Sequence, residues 1–463
     1  MPPTPSRPTI PVLLVLSAGC APLVPFGDDV GTDGSSSADS SAGGEVDGGD
    51  DARPTGEVGG EVGGEVGGEV GGDITTGAVA FCGDGFVDGD EICDDGNDIP
   101  GDGCEPDCTN TPGLLMWSQA FDGGGDDRAR DVAASIEGDV LVVGNLAMAS
   151  DDAWAQRITA DGGNAAAALL DLGDDEYATS VTVAADGSVW VAGASMGDDR
   201  GLVMRWDEDQ FTQFDGGPED LATGTVFAST TAEGFAVIAN TGGFNSLGIA
   251  APHFDATGAL LGDAMLADAV FIGAAVPAAD GGTILTGNAF GGMGMPSTIW
   301  LGSLTADGGT GFSSSFEADP GMNARVRGLA IAPDGRIAGV GTMGPPGQMG
   351  QQDRGWIWWW TPDGVPDGNG PLDIGGAAAR ASAVVFGNHG MVVGGTTILL
   401  DDGFVAGLDD AGNAQWAYAL TGDLGLEDGI TSLALVPGVG IAAVGWVAQI
   451  GTGEDAWVGL FTD

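Results

Sequence analysis

From Gly113 onwards, short apolar segments alternate with turns rich in Gly and Asp. A typical unit, such as SVTVAADGSVWVAGAS, has one apolar strand, a turn with Gly, and a second apolar strand that ends in a small residue. Short apolar runs between such turns are typical of β-strands. We count seven such units, which start at Gly125, Gly173, Gly224, Ile272, Arg325, Arg380 and Gly429.

Each unit continues into a third segment with aromatic residues, and most continue into a fourth. Four strands that recur every 45–55 residues or so are typical of propeller blades. The pattern predicts an all-β fold, a seven-bladed β-propeller over residues 113–463. The competing architectures are an array of β-sandwiches and a β-helix.

The two ends of the repeat region complement each other. The last unit stops at Asp463 after its third strand, whereas an extra strand, Leu114 to Gly124, precedes the first unit. We therefore expect the N-terminal strand to complete the last blade and so remove the exposed edges. The motifs Gly-Asp-Asp near a blade start and Asp-Gly-x-Val-x-Val-x-Gly within the blade resemble the β-propeller repeats of exported bacterial proteins.

The first twenty residues, MPPTPSRPTIPVLLVLSAGC, contain an apolar run from Ile10 to Leu16. This run is too short to span a bilayer but suits the core of a signal peptide. The small residues before Cys20 resemble a bacterial lipobox, although Ser17 stands where Leu is usual. The resemblance implies a signal peptide over residues 1–19 and a lipid anchor on Cys20. The alternative is an ordinary secretory signal in which Cys20 is incidental.

Residues 20–77 are rich in Gly, Ser, Asp and Glu and include four Glu-Val-Gly-Gly repeats. Such a segment buries too little apolar surface to offset the entropy of ordering, so we expect a disordered, acidic linker. Ala21 after the cysteine implies, by resemblance to enterobacterial sorting, the outer membrane. The predicted location is therefore the outer membrane or the cell surface, with the linker between the anchor and the folded part.

Four cysteines cluster in a predicted module at residues 78–112, with the spacing C-x10-C-x10-C-x3-C. No His lies within the module, and neither the paired knuckles of a zinc site nor a redox C-x-x-C is present. An exported chain with clustered cysteines is expected to form disulfides. Three connectivities remain open for these residues: Cys82, Cys93, Cys104 and Cys108.

The module resembles a cysteine-rich repeat of exported myxobacterial proteins, which reads CGDG, then Glu-x-Cys-Asp-Asp-Gly-Asn, then Gly-Asp-Gly-Cys, then a last Cys. No firm activity attaches to that family. The carboxylates of the module in this chain are hard oxygen ligands of the kind that calcium prefers. Asp and Asn beside Gly are equally typical of turns, so calcium and turn formation stay open for Asp84, Asp88, Asp90, Asp94, Asp95 and Asp102.

The chain has 68 acidic residues and 12 basic residues, a formal charge of −56, and 87 Gly. This charge disfavours nucleic acid as a partner. It suits cation binding, or simply solubility in a salty exterior.

Two groups on the predicted propeller are candidates for ligand binding. The run WIWWW places Trp356, Trp358 and Trp360 on one face of a strand, where they either stack on sugars or pack between blades. Acidic residues at blade entries either form a rim that binds a ligand or cap turns: Asp127, Glu176, Asp220 and Asp428.

No catalytic residue is predicted. The two histidines, His253 and His389, lie in unrelated repeats, and no nucleophile or phosphate-binding motif is present. The sequence therefore favours a non-catalytic binding or scaffold protein at the cell envelope, with a protein or polysaccharide partner. The alternatives are a calcium-dependent carbohydrate-binding protein and a polysaccharide lyase or hydrolase.

Overall fold

The structure is a computed structural model. It describes residues 82–463 apart from residues 84, 88–90, 95, 98, 102, 149, 198–199, 215–220, 232–233, 243–247, 269, 290–296, 318, 320, 346–352, 375–378, 399–400, 410 and 424–425. The predicted signal peptide, Cys20 and the linker lie outside these residues. Within the described part, no helix is long and apolar enough to cross a membrane.

In the part of the chain that the structure describes, twenty-eight strands form seven four-stranded antiparallel sheets. The first strands of the sheets are β2 (Arg128–Ala134), β6 (Glu176–Val183), β10 (Leu221–Thr230), β14 (Val270–Pro277), β18 (Asn323–Ile331), β22 (Ala379–Gly387) and β26 (Gly429–Val436). The second strands are β3 (Val140–Ala147), β7 (Val189–Ser195), β11 (Gly234–Thr241), β15 (Thr283–Ala289), β19 (Ile337–Gly344), β23 (Gly390–Thr397) and β27 (Gly440–Gln449).

The third strands are β4 (Asp151–Ile158), β8 (Arg200–Asp207), β12 (Gly248–Asp255), β16 (Thr298–Leu304), β20 (Arg354–Trp360), β24 (Gly403–Leu408) and β28 (Gly453–Phe461). The outermost strands are β5 (Asn164–Leu170), β9 (Gln210–Phe214), β13 (Leu260–Asp268), β17 (Thr310–Phe316), β21 (Pro366–Ile374), β25 (Ala414–Leu420) and β1 (Leu115–Phe121). We number the blades 1 to 7 in the order of their first strands.

The sheets form a closed ring, which confirms the predicted seven-bladed propeller. Each first strand contacts the first strands of the two neighbouring blades, and β26 of blade 7 contacts β2 of blade 1. Blade 7 is completed by β1, which pairs antiparallel with β28 so that Ser118 lies opposite Gly459. The predicted closure by the N-terminal strand is therefore confirmed, because β1 covers the outer edge of β28.

The core lies between the blades, because each sheet is apolar on both faces. The β3 strand is buried at Val140, Val142 and Val143, and it packs against Val444 and Val458 of blade 7. A strand buried on both faces reads as a continuous apolar run, as the second segment of each repeat does.

A glycine lies opposite a β-bulge in six of the seven blades. In blade 1 the bulge lies between Ala129 and Asp131, and Gly144 pairs with Ala129. A Cβ atom added at Gly144 would lie 1.9 Å from the carbonyl oxygen of Arg128. Because backbone occupies that space, the small residue that ends each second strand is a steric requirement. The equivalents of Gly144 are Gly193, Gly287, Gly341, Gly395 and Gly445, with Ala239 in blade 3.

The cysteine module contains two disulfides, which resolves the connectivity that the spacing left open. Cys82 bonds to Cys108, and Cys93 bonds to Cys104. Asp94 accepts hydrogen bonds from the backbone N–H groups of three glycines, at 2.7 to 3.0 Å, and so organises a turn. The other five calcium candidates, Asp84, Asp88, Asp90, Asp95 and Asp102, lie outside the described residues.

Candidate functional site: the central channel

The seven first strands enclose a channel of about 940 Å³ along the axis of the ring. Such a concave space, lined by a few convergent polar groups, is the usual place for a ligand. One end of the channel is lined by Arg130 and Arg327, together with hydroxyl groups, and the other by Ile136, Glu137 and Val439. The channel is therefore polar at the end where the first strands begin.

The bulges place side chains in this polar end. At a bulge one residue is left out of the pairing register, so its side chain is re-aimed. Six blades have such a bulge. The bulge residues that line the channel are Arg130, Thr179, Arg327, Ser382 and Thr431. The repeated backbone thus presents Arg, Thr or Ser side chains to the channel from five of the seven blades.

Asp131 links three first strands just beside the bulges. One carboxylate oxygen accepts hydrogen bonds from Ser180 Oγ at 2.8 Å and from the Val181 N–H at 2.9 Å. The other accepts hydrogen bonds from Ser432 Oγ at 2.7 Å and from the Val132 N–H at 2.9 Å. Burial raises the pKa of Asp131, and these four donors oppose that effect. Blades 7, 1 and 2 are therefore joined by a polar network.

Two arginines reach the channel from opposite sides of the ring, in blades 1 and 5. Arg130 donates to Asn145 Oδ1 at 2.9 Å, and its guanidinium carbon lies 4.7 Å from the centre of the Tyr177 ring. Burial lowers the pKa of Arg327, and the positive charges of Arg325 and Arg380 lower it further. Among the described residues, neither Arg130 nor Arg327 forms an ion pair with a carboxylate.

The acidic residues predicted as a rim point into the protein. Asp127 is fully buried and accepts the N–H groups of Gly123 and Ala147, each at 2.5 Å. Asp428 makes the equivalent contacts with Gly422 and Ala448. Glu176 is buried and accepts the Leu172 N–H at 3.0 Å. Burial raises the pKa of all three carboxyls. These three residues cap the loops between blades, which is the second of the two roles considered for them in the sequence. Asp220 lies outside the described residues.

The tryptophan run packs between blades 4 and 5. Trp356, Trp358 and Trp360 are 0%, 6% and 0% exposed. Trp358 and Trp360 stack with their ring centres 6.2 Å apart, and Phe316 of blade 4 packs against both. No ring face of the three is open to a sugar. Of the two roles considered for these tryptophans, packing between blades is the one that fits their position.

The channel arginines were not among the residues singled out from the sequence. The sequence does contain a feature that could have identified them. Arg128 and Arg130 stand at the start of one repeat, and Arg325 and Arg327 stand at the start of another. In a chain with twelve basic residues, four at two strand starts is an uneven distribution. What the sequence does not show is the bulge, which turns Arg130 and Arg327 towards the axis.

Comparisons with known proteins place one segment in a family and give only weak structural similarities. Residues 75–109 match a family described as a domain of unknown function (DUF4215). No curated protein matches the chain.

Among solved structures, a protein of unknown function from Dyadobacter fermentans is 10% identical, with a TM-score of 0.48, over 75% of this chain and 98% of that chain. The polysaccharide lyase Uly1 is 7% identical, with a TM-score of 0.48, over 75% and 99% of the two chains. The WD40 β-propeller domain of Doa1 is 15% identical, with a TM-score of 0.46, over 75% and 96%. The fold assignment rests on the strand order of the seven sheets and not on these similarities.

Proposed function

We propose that this protein is a non-catalytic binding protein of the cell envelope whose propeller channel binds an acidic polysaccharide. The observation that carries the proposal is the pair Arg130 and Arg327 in the channel, neither of which lies within salt-bridge distance of a carboxylate among the described residues. In a chain of formal charge −56, two guanidinium groups that line one concave space favour a negatively charged ligand.

Guanidinium groups suit this ligand because they form two parallel hydrogen bonds with a carboxylate or a sulfate. Hydroxyl groups of Ser382 and Thr431 line the same space and match the hydroxyl groups of a sugar ring. A low-dielectric wall strengthens such contacts relative to those on an open surface. The ligand that fits best is therefore a glycan that carries uronate or sulfate groups.

The proposal is non-catalytic because the acidic side chains of the channel are already engaged. Asp131 uses both oxygens in hydrogen bonds to neighbouring strands. Glu137 lies at the other end and pairs with Arg157 at 3.3 Å. Among the described residues that line the channel there is no His or Cys. No free acid and base therefore face a bound sugar from the arginine end.

The remaining parts of the chain fit a role outside the cytoplasm. A lipid anchor on Cys20, followed by the acidic linker over residues 20–77, would hold the propeller away from the membrane. The disulfide module would then lie between the linker and the propeller, in an oxidising compartment. This location is part of the proposal, and it places the channel where envelope polysaccharides are found.

A glycan array that contains acidic and neutral polysaccharides tests the proposal on the full-length chain, with calcium and then with a chelator. We expect binding to acidic glycans, at least tenfold weaker for Arg327→Gln. Arg205→Gln is the matched control, because it removes the same charge from a surface arginine that pairs with Asp207 at 3.1 Å. Equal binding of neutral glycans, or no loss in Arg327→Gln, would overturn the proposal and direct the search to protein partners.

A further inference from the structure

Three carboxylates meet at the junction between blade 7 and blade 1. Asp455 lies near the start of β28, Asp122 directly follows β1, and Asp127 directly precedes β2. Each offers one oxygen, and the three oxygens lie within 4.8 Å of one another. Because Ca²⁺ holds oxygen ligands at about 2.3–2.6 Å, two ligands on opposite sides of the ion are about 5 Å apart. The group therefore has the spacing of ligands to one ion.

One of the two buried members of this group has an oxygen atom without a hydrogen-bond partner among the described residues. Asp455 is 4% exposed, and no described residue donates to its Oδ1 atom. The Thr452 hydroxyl lies beside Asp455 but does not meet hydrogen-bond geometry with it. Thr452 Oγ1 is likewise buried without a partner. A buried carboxylate oxygen without a donor or a counterion destabilises the folded protein. A bound cation would remove this cost.

The other two carboxylates are held in place by backbone groups. The N–H groups of Gly123 and Ala147 orient Asp127, and the Gly124 N–H donates to Asp122 Oδ1 at 2.7 Å. Each of these oxygens keeps a second lone pair that a metal ion can use. Hydrogen-bonded carboxylates of this kind are the usual support of a bound cation.

Among the described residues, no arginine pairs with this group of carboxylates. Arg128 follows Asp127 in the chain, but its Nη2 atom donates to Glu454 Oε1 at 2.7 Å, and its guanidinium lies over the Trp446 ring. Among the described residues, none of the three carboxylates forms an ion pair. Three negative charges at this separation repel one another strongly in a partly buried site.

We propose that Asp122, Asp127 and Asp455 bind one Ca²⁺ ion that holds the propeller ring closed. Asp122 follows the end of β1, Asp127 lies at the entry to blade 1, and Asp455 lies in β28. The ion therefore joins the two ends of the propeller chain, where no covalent bond does so. Water or backbone carbonyls complete the six to eight oxygens that Ca²⁺ prefers.

The other blade junctions provide an internal comparison. At the junction of blades 1 and 2, Asp152, Asp171 and Glu176 are grouped in the same way. Asp152 there accepts a hydrogen bond from Ser150 Oγ at 2.9 Å, so its partners are already supplied. At the junction of blades 6 and 7, Asp402 and Asp428 remain, but Thr421 stands where Asp122 stands. That junction lacks the third carboxylate, and it is the matched control.

The experiment measures Ca²⁺ binding to the full-length chain by calorimetry, with the melting temperature and amide exchange of β1 recorded in Ca²⁺ and in chelator. The variants are Asp455→Asn and Asp122→Asn, with Asp402→Asn as the control of equal charge change. We expect Ca²⁺ to raise the melting temperature and to protect β1 in the parent chain and in the control. In both test variants we expect affinity at this site at least tenfold lower and no added protection of β1.

The metal-free protein separates a metal site from a merely structural role. In chelator, Asp455→Asn is expected to melt no lower than the parent chain, because it removes one of three repelling charges. Asp122 is exposed, so its variant tests the site even if the buried substitution prevents folding. Full Ca²⁺-dependent protection of β1 in Asp122→Asn, or an equal loss in Asp402→Asn, would overturn the proposal.

Discussion

The two halves of the channel share a backbone and differ in side chains. In blades 7, 1 and 2, the residues after the bulge are Ser432, Asp131 and Ser180, which form one hydrogen-bonded network. At the same register, blades 4, 5 and 6 have Ala274, Gly328 and Ala383. The comparison shows that the repeat fixes the position of the channel wall, whereas single residues decide its chemistry.

The backbone that both halves share gives the largest expected effect. Gly144→Ala in blade 1 and Gly341→Ala in blade 5 should each lower the free energy of unfolding by about 3 kcal/mol or more, since the added Cβ meets a carbonyl oxygen at 1.9 or 1.8 Å. Gly262→Ala is the control, because nothing lies within 4 Å of its added Cβ. Urea denaturation measures all three. A large loss in only one half would contradict the shared steric role.

An intermediate effect is expected from the polar network, and it depends on pH. Burial raises the pKa of Asp131 in the folded chain, so folding favours its protonated form. The stability that this group contributes is complete below its unfolded pKa of about 4 and is lost as the pH rises through the folded value.

We therefore expect the free energy of unfolding of the parent chain, relative to Asp131→Asn, to fall as the pH rises above about 4. Urea denaturation of both chains at matched pH values isolates Asp131, because the other carboxyls are common to both. A difference that grows with pH would mean that the hydrogen bonds outweigh burial, and the direction of the shift would be wrong.

The smallest effect separates the two halves by single hydroxyl groups. Ser180→Ala removes a donor to the buried Asp131 and should cost about 1–2 kcal/mol. Ser382→Ala, in the half without the Asp131 network, removes a channel hydroxyl and should cost less than about 0.5 kcal/mol. Thermal unfolding of the two variants side by side measures the difference. Equal losses would remove the distinction between the halves.

Periodicity was sufficient to predict the architecture. Alternating apolar segments predicted four strands in each blade, and the unpaired strand at Leu114–Gly124 predicted closure onto the last blade. Both follow from one requirement, that every apolar face and every strand edge be covered. The disulfide connectivity needed the structure, because the spacing of Cys82, Cys93, Cys104 and Cys108 permits three pairings.

The direction in which a side chain points was the part that the sequence left undetermined. Asp127 and Asp428 stand at blade entries as expected, yet they turn inward to accept N–H groups of Ala147 and Ala448. Arg327 points to the axis because a bulge shifts the register between Val326 and Gly328. A bulge depends on pairing with the next strand, so local sequence alone does not place it.

The pairing of β1 with β28 determines when the ring can close during synthesis of the chain. Leu114 and Thr462 are hydrogen-bonded across 348 residues. At about 5–20 residues per second, ribosomal synthesis takes on the order of 17–70 s to traverse that interval. Throughout it, β1 exists without its partner, with an edge that invites pairing with other chains. The seam of the ring is thus the last part to form, and the edge of β1 stays unpaired until β28 has been made.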